Sequence, residues 1–190
     1  KATFYKKTPM KIFAWNSNRQ RDTVMTPYDS IKYHRQMLQT AFMVMDPQTG
    51  EVRAWVGGID FKTYKLDHAN MRTKRQVGST IKPLLYTQAM EERGFTPETE
   101  VIDQQQDFGN KQLVPATTKS CSGRTMTMAS ALAGSRNCAT AFIMKQVGPK
   151  QFADFLGRLN IPTKVDPFPS IALGACDLSL FEMMWGYSIF

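Results

Sequence analysis

The chain reads as an α+β fold in which helices pack on an antiparallel sheet. Strand-like alternation falls early, within residues 41–58. From residue 79 onward, capped helical segments dominate the sequence. Strands first and helices afterwards point to helices packed against a sheet, not to repeated β-α-β crossovers. With 190 residues, 42% hydrophobic and 21% charged, the chain has the size and usage of one globular domain with a sizeable core.

Residues 1–40 are polar, basic and weakly periodic, and read as a linker or small accessory segment. Residues 25–30, Met-Thr-Pro-Tyr-Asp-Ser, form a turn, and a helix over 29–40 would be capped by Asp29 or Ser30. Residues 41–45 are an apolar run. Asp46-Pro47-Gln48-Thr49-Gly50 then supplies turn chemistry, with Pro at its second position and Gly closing it. Residues 51–56 largely alternate polar and apolar, so the whole is a β-hairpin ended by Gly57-Gly58. Residues 59–78 are a polar, basic loop. The pattern predicts a helix over 79–93, with Ser79 as cap and Gly94 as stop. Pro83 is tolerable there because backbone donors of a first turn lack helical partners. Further helices are predicted over 126–133, capped by Thr125 or Thr127, and over about 137–147 and 150–159. Ser179 opens a last helix that runs into Phe190, so the chain reads as trimmed at both ends, Lys1 not being a natural start.

The net charge is +8, and residues 1–40 carry eight basic side chains against Asp22 and Asp29. Such an arm suits an anionic polymer, anionic lipid, nucleic acid or simply a solvated surface. No zinc-finger spacing, RNP-like aromatic strand or basic heptad accompanies it, which argues against a nucleic-acid partner. No run of about 18 apolar residues would span a membrane, and no signal peptide is present. His34 and His68 stand apart from any cysteine or carboxylate cluster, so neither metal nor cofactor is expected. Cys121, Cys138 and Cys176 are too few for a disulfide framework. Three buried thiols are the default reading, and a Cys121–Cys138 bridge stays open.

Two short motifs can carry chemistry. In Ser79-Thr80-Ile81-Lys82, the first and last residues share a helix face, with roughly 5–6 Å between Cβ atoms. A serine hydroxyl needs a neighbouring base to become a nucleophile, and a lysine whose pKa is lowered by burial can serve. A helix start adds donors and positive dipole where an oxyanion would form. Alone, this motif is by default a capping serine and a surface lysine. Ser135-Arg136-Asn137 lies at a helix junction; its hydroxyl can shuttle a proton and its amide can bind a substrate backbone, although Ser and Asn there are also ordinary caps. The two motifs in this order, about 55 residues apart, are far more specific than either.

Together they resemble the active-site elements of penicillin-binding proteins. Residues 46–58, D-P-Q-T-G-E-V-R-A-W-V-G-G, are similar to the hairpin that opens the transpeptidase domain of the class A, bifunctional members. Residues 75–83, R-Q-V-G-S-T-I-K-P, resemble that family's R-Q-P-G-S-x-x-K-P element. Residues 126–137 resemble its helix leading into S-x-N, and residues 171–183 its following A-L-G segment. The resemblance runs collinearly over roughly residues 9–190.

It implies a β-lactamase/transpeptidase-like fold, incomplete at its C-terminal end, with residues 41–190 as the N-terminal part of the transpeptidase domain. It also implies a D,D-transpeptidase that cross-links peptidoglycan. Ser79 would attack the penultimate D-Ala carbonyl of a stem peptide, Lys82 would be the acylation base, Ser135 would relay a proton, and Asn137 would bind substrate and contact Lys82. Stem peptides ending in D-Ala-D-Ala and β-lactam antibiotics are the implied partners, at the periplasmic face of the membrane, with anchor and glycosyltransferase domain upstream. Val77 and Ile81 depart from the family's usual Pro and Phe. No K-T-G or K-S-G follows Asn137. In the family that strand supplies an oxyanion donor, a loss of which costs about 10²–10³ in rate, so this stretch alone is expected to be inactive. A D,D-carboxypeptidase and a non-catalytic module binding β-lactam or wall polymer are the alternatives. A class A β-lactamase fits poorly, because the hairpin and basic flanks do not resemble that family.

Overall fold

The structure, a computed structural model, describes residues 2–190, so Lys1 of the basic arm lies outside the described residues. The described backbone divides into two compact units, residues 2–44 with 53–70 and residues 45–52 with 71–190.

In the first unit, strands β1 (Thr8–Phe13) and β2 (Gln20–Met25) pair antiparallel, with Lys11 opposite Asp22. Helix α1 (Pro27–Arg35) follows. The sequence placed this helix two residues later and ran it to residue 40. Pro27 instead occupies the first turn, where its fixed φ suits a helix start, and Thr26 Oγ1 accepts the Asp29 N–H at 3.0 Å. His34 is a structural histidine: its Nε2 accepts the Phe13 N–H at 3.2 Å and its Nδ1 donates to the Ser30 carbonyl at 2.7 Å. Ile12 and Phe13, at the end of β1, are buried.

Strands β3 (Phe42–Met45) and β4 (Val52–Val56) form the predicted hairpin. Its turn is set by Asp46, whose carboxylate accepts the Gln48 and Thr49 N–H groups at 2.9 and 3.1 Å. Gly50 has φ 73°, and the Trp185 ring lies over the space a side chain would need there.

The second unit holds the larger core. Strand β5 (Lys74–Gln76) leads through a 3₁₀ turn, Gly78–Ile81, into α2 (Lys82–Arg93), which Gly94 stops in the left-handed conformation. Strands β6 (Glu100–Ile102), β7 (Gln106–Asp107), β8 (Leu113–Val114) and β9 (Thr125–Thr127) precede α3 (Met128–Ala133), α4 (Asn137–Val147) and α5 (Pro149–Arg158). Strand β10 (Asp177–Ser179) opens α6 (Leu180–Tyr187). Helices α2 and α4 meet through Leu84, Leu85, Ala89, Ala139, Ile143 and Met144, all fully buried. The apolar face of α5 adds Phe152, Phe155 and Leu156.

The α+β class holds, but the strands form two-stranded ladders instead of one continuous sheet among the described residues. β6 pairs with β9, β7 with β8 and β10 with β5, all antiparallel. Two helix boundaries also differ from expectation. Residues 125–127 are strand, so α3 starts at Met128 with Thr127 as cap. α6 ends at Tyr187, with Ser188 as its C-cap, before it reaches Phe190.

Candidate active site

Ser79 sits in the 3₁₀ turn and is exposed, while Lys82 at the first position of α2 is 1% exposed. The turn is pinned from outside its own helix. Val77 N–H donates to the Cys176 carbonyl at 3.0 Å and Gly78 N–H to the Gly174 carbonyl at 3.1 Å. Gly174 has φ 74°, and a Cβ there would come within 1.9 Å of the Gly78 oxygen. Only glycine permits that approach. The A-L-G segment is therefore the backing of the turn that carries Ser79. Tyr187 reinforces it by donating to the Thr80 carbonyl at 2.6 Å.

Lys82 reaches across to the junction between α3 and α4. Its Nζ donates to the Ser135 carbonyl at 2.7 Å, the Ser135 hydroxyl at 3.1 Å and Asn137 Oδ1 at 2.7 Å. These three acceptors match the three donors of an ammonium. Burial disfavours that ammonium and lowers its pKa from 10.5 to about 8. Loss of one proton leaves two N–H donors, enough for the two carbonyl oxygens at 2.7 Å, and frees a lone pair. Of the four residues singled out from sequence, Lys82, Ser135 and Asn137 thus form one hydrogen-bonded cluster. Ser79 lies one turn before Lys82, and among the described residues its hydroxyl makes no hydrogen bond. It also caps nothing, because the 3₁₀ turn replaces the helix start expected there.

Ser135 adopts φ 48°, left-handed for a residue with a side chain, at a cost of about 1–2 kcal/mol. That conformation turns its carbonyl towards Lys82. Its surroundings hold it there through Asp103, which the sequence did not mark, and through a disulfide that the sequence left open. Asp103, fully buried, forms an ion pair with Arg136. Cys138 is disulfide-bonded to Cys121, leaving Cys176 as the free thiol. The expectation of three free thiols is corrected: the loop 115–124 returns to the start of α4 and brings the two sulfurs together. Asp103 stands 33 residues from Arg136, and no local pattern signals such a pair.

The family profile "Penicillin binding protein transpeptidase domain" matches residues 40–166, two thirds of the chain. The chain belongs to the penicillin-binding protein transpeptidase family. A second profile, "Penicillin-binding protein middle domain", matches residues 1–38. Among curated relatives, Penicillin-binding protein 1A of Vibrio cholerae is 31% identical over 93% of this chain and 22% of its own length. Penicillin-binding protein 1A of Neisseria flavescens is 29% identical over 81% and 20%. The chain therefore spans about a fifth of the length of these relatives. The crystal structure of Penicillin-Binding Protein 1A from Haemophilus influenzae superposes with a TM-score of 0.71 at 22% identity, over 92% of this chain and 25% of that one. PonA1 from Mycobacterium tuberculosis in complex with penicillin V gives 0.65 at 21% identity, over 85% and 46%. These likenesses establish the β-lactamase/transpeptidase fold for this chain and leave its chemistry to its own residues.

Proposed function

We propose that this chain carries the acylating residues of a peptidoglycan D,D-transpeptidase. The observation that supports it most is Lys82, a buried amine with a pKa near 8, held on Ser135 and Asn137 one turn after an exposed serine. In this reading neutral Lys82 takes the Ser79 hydroxyl proton as Oγ bonds to the penultimate D-Ala carbonyl of a stem peptide. The bond to the terminal D-Ala nitrogen then breaks, and Ser135 relays a proton to that leaving amine. Asn137 aligns the substrate amide. An amine of a neighbouring stem peptide attacks the ester, forms the cross-link and returns the proton to Ser79. A β-lactam acylates Ser79 in the same way, its ring nitrogen remaining tethered.

Residues 41–190 are assigned to the transpeptidase portion and residues 1–40 to an accessory segment, in keeping with profile matches that change over near residue 39. A location on the outer side of the cytoplasmic membrane, through an anchor elsewhere in the full-length protein, fits the Cys121–Cys138 disulfide, since such bonds persist in oxidising compartments. Among the described residues no helix is long and apolar enough to cross a membrane.

The test is intact-protein mass of the full-length protein after incubation with benzylpenicillin. The expected result is one adduct of the drug's mass, absent in Ser79→Ala. No adduct at high drug concentration, or an adduct that survives Ser79→Ala, would sink the reading. Incubation with stem peptides and an acceptor amine should then yield cross-linked product; release of D-Ala alone would identify a carboxypeptidase.

A further inference from the structure

Asp103 follows β6 with no exposed surface, and its two oxygens gather two other stretches of chain, the loop at Ser122 and the start of α4. Oδ2 accepts the Ser122 N–H at 2.9 Å, the Ser122 hydroxyl at 2.8 Å and Arg136 Nε at 3.0 Å, and also pairs with Arg136 Nη2. Oδ1 accepts the Ala139 N–H, in the first turn of α4, at 3.2 Å. Arg136 Nη2 further donates to the Ser120 carbonyl at 2.8 Å.

Arg136 is the middle residue of the Ser135–Asn137 motif. Its neighbours on both sides turn their oxygens to Lys82, whereas its own side chain reaches the buried carboxylate. The peptide units that carry the Ser135 carbonyl and the Asn137 side chain are therefore anchored at their midpoint. A guanidinium fits this task because its rigid plane places Nε and Nη2 on the single oxygen Oδ2 while Nη2 also holds the Ser120 carbonyl, which fixes direction as well as distance. The left-handed Ser135 needs such an anchor, because nothing in its own side chain favours that conformation. The Cys138 sulfur, bonded to Cys121, ties down the position immediately after Asn137.

We propose that Asp103 and Arg136 are positioning residues for acylation: their ion pair holds the Ser135–Asn137 turn so that its two carbonyl oxygens orient Lys82 towards the Ser79 proton. This rests on the reading of Ser79 and Lys82 given above. The pair acts on the bond-making step and leaves initial drug binding largely alone.

The test uses the full-length protein and stopped-flow acylation by nitrocefin, which separates the pre-equilibrium constant from the acylation rate. Arg136→Met is the principal variant, since the Arg136 side chain is 34% exposed and its loss leaves Asp103 still bonded to Ser122 and Ala139. Its acylation rate should fall about tenfold to hundredfold, the scale of a misplaced catalytic group. The pre-equilibrium constant should stay within about threefold, and Arg136→Lys should restore only part of the rate. In an Asn137→Ala background the same Arg136→Met change should cost less than about threefold, because both changes disturb one arrangement. A wild-type acylation rate in Arg136→Met, or an undiminished loss in the Asn137→Ala background, overturns the proposal. Failure of the wild type to acylate at Ser79 would instead overturn the underlying reading.

Discussion

Lys82 is the residue whose surroundings say most about chemistry. Water is excluded from its ammonium, which holds its pKa near 8 where an exposed lysine titrates near 10.5. The neutral amine is the form that can accept the Ser79 proton. Acylation by benzylpenicillin should therefore rise with pH, by about tenfold per unit well below pH 8, and level off above it. Lys82→Ala should lose about 10²–10⁴ in rate together with that limb. A flat profile between pH 6 and 9 in rapid-quench measurements on the wild type would remove Lys82 from the role of base. The same burial bears on stability. The unfolded chain keeps the proton up to about pH 10.5, so between pH 8 and 10.5 it binds more protons than the folded one, and stability attributable to Lys82 rises with pH across that window.

At the scale of elements, α6 depends on one carboxylate. Glu182 Oε2 accepts the Ser179 N–H at 2.8 Å and its hydroxyl at 2.9 Å, while Ser179 Oγ accepts the Glu182 N–H at 3.2 Å, a reciprocal cap. Oε1 accepts the Thr163 N–H at 3.1 Å and binds its hydroxyl, which fastens the preceding loop to the helix. Burial alone would raise the pKa of Glu182, but the hydrogen bonds from Thr163 and Ser179 and the Lys74 charge outweigh it and hold it below 4.5. A depressed carboxylate stabilises the fold above its unfolded pKa and stops doing so as pH falls through its folded one. Glu182→Gln should cost about 1–3 kcal/mol at pH 7, and the gap from wild type in urea midpoint should narrow as pH falls below about 4.5. A gap that stays constant between pH 7 and 3 would refute the role given to the charge. Ser179 was legible as this helix's cap, as were the Asp46–Gly50 turn and the Gly94 stop, because each acts on its own neighbours. The β1–β2 hairpin was not. β2 has no buried residue, β1 buries only Ile12 and Phe13, and the connection, Ala14-Trp15-Asn16-Ser17-Asn18-Arg19, carries no glycine, with Arg19 taking the positive φ of 56°. The motif serines, Lys82 and Asn137 were legible from type and order. The Asp103–Arg136 pair was not, since it joins residues 33 apart that only the tertiary fold brings together.

At the scale of the whole molecule, the loop from Cys121 to Cys138 links redox state to folding. The bond closes a separation of 17 residues, and a cross-link of that size restricts the unfolded chain enough to stabilise the fold by about 3 kcal/mol. Cys176 is the free thiol. Its thiol is partly buried, and burial, with a contribution from Asp177, pushes its pKa up to about 11, so at neutral pH it stays protonated and unreactive. Folded, oxidised protein should therefore react slowly with iodoacetamide at pH 7.5, and mass spectrometry should find three alkylated thiols only after denaturation and reduction. Reduction, or the pair Cys121→Ser with Cys138→Ala, should lower the urea midpoint by the equivalent of those few kcal/mol, and reoxidation of the wild type should restore it. The same treatment releases the position just after Asn137, so acylation by benzylpenicillin should slow under conditions in which the protein is still folded. Unchanged midpoints and unchanged acylation after verified reduction would mean that Asp103 and the helix core hold the Ser135–Asn137 turn without help from the disulfide.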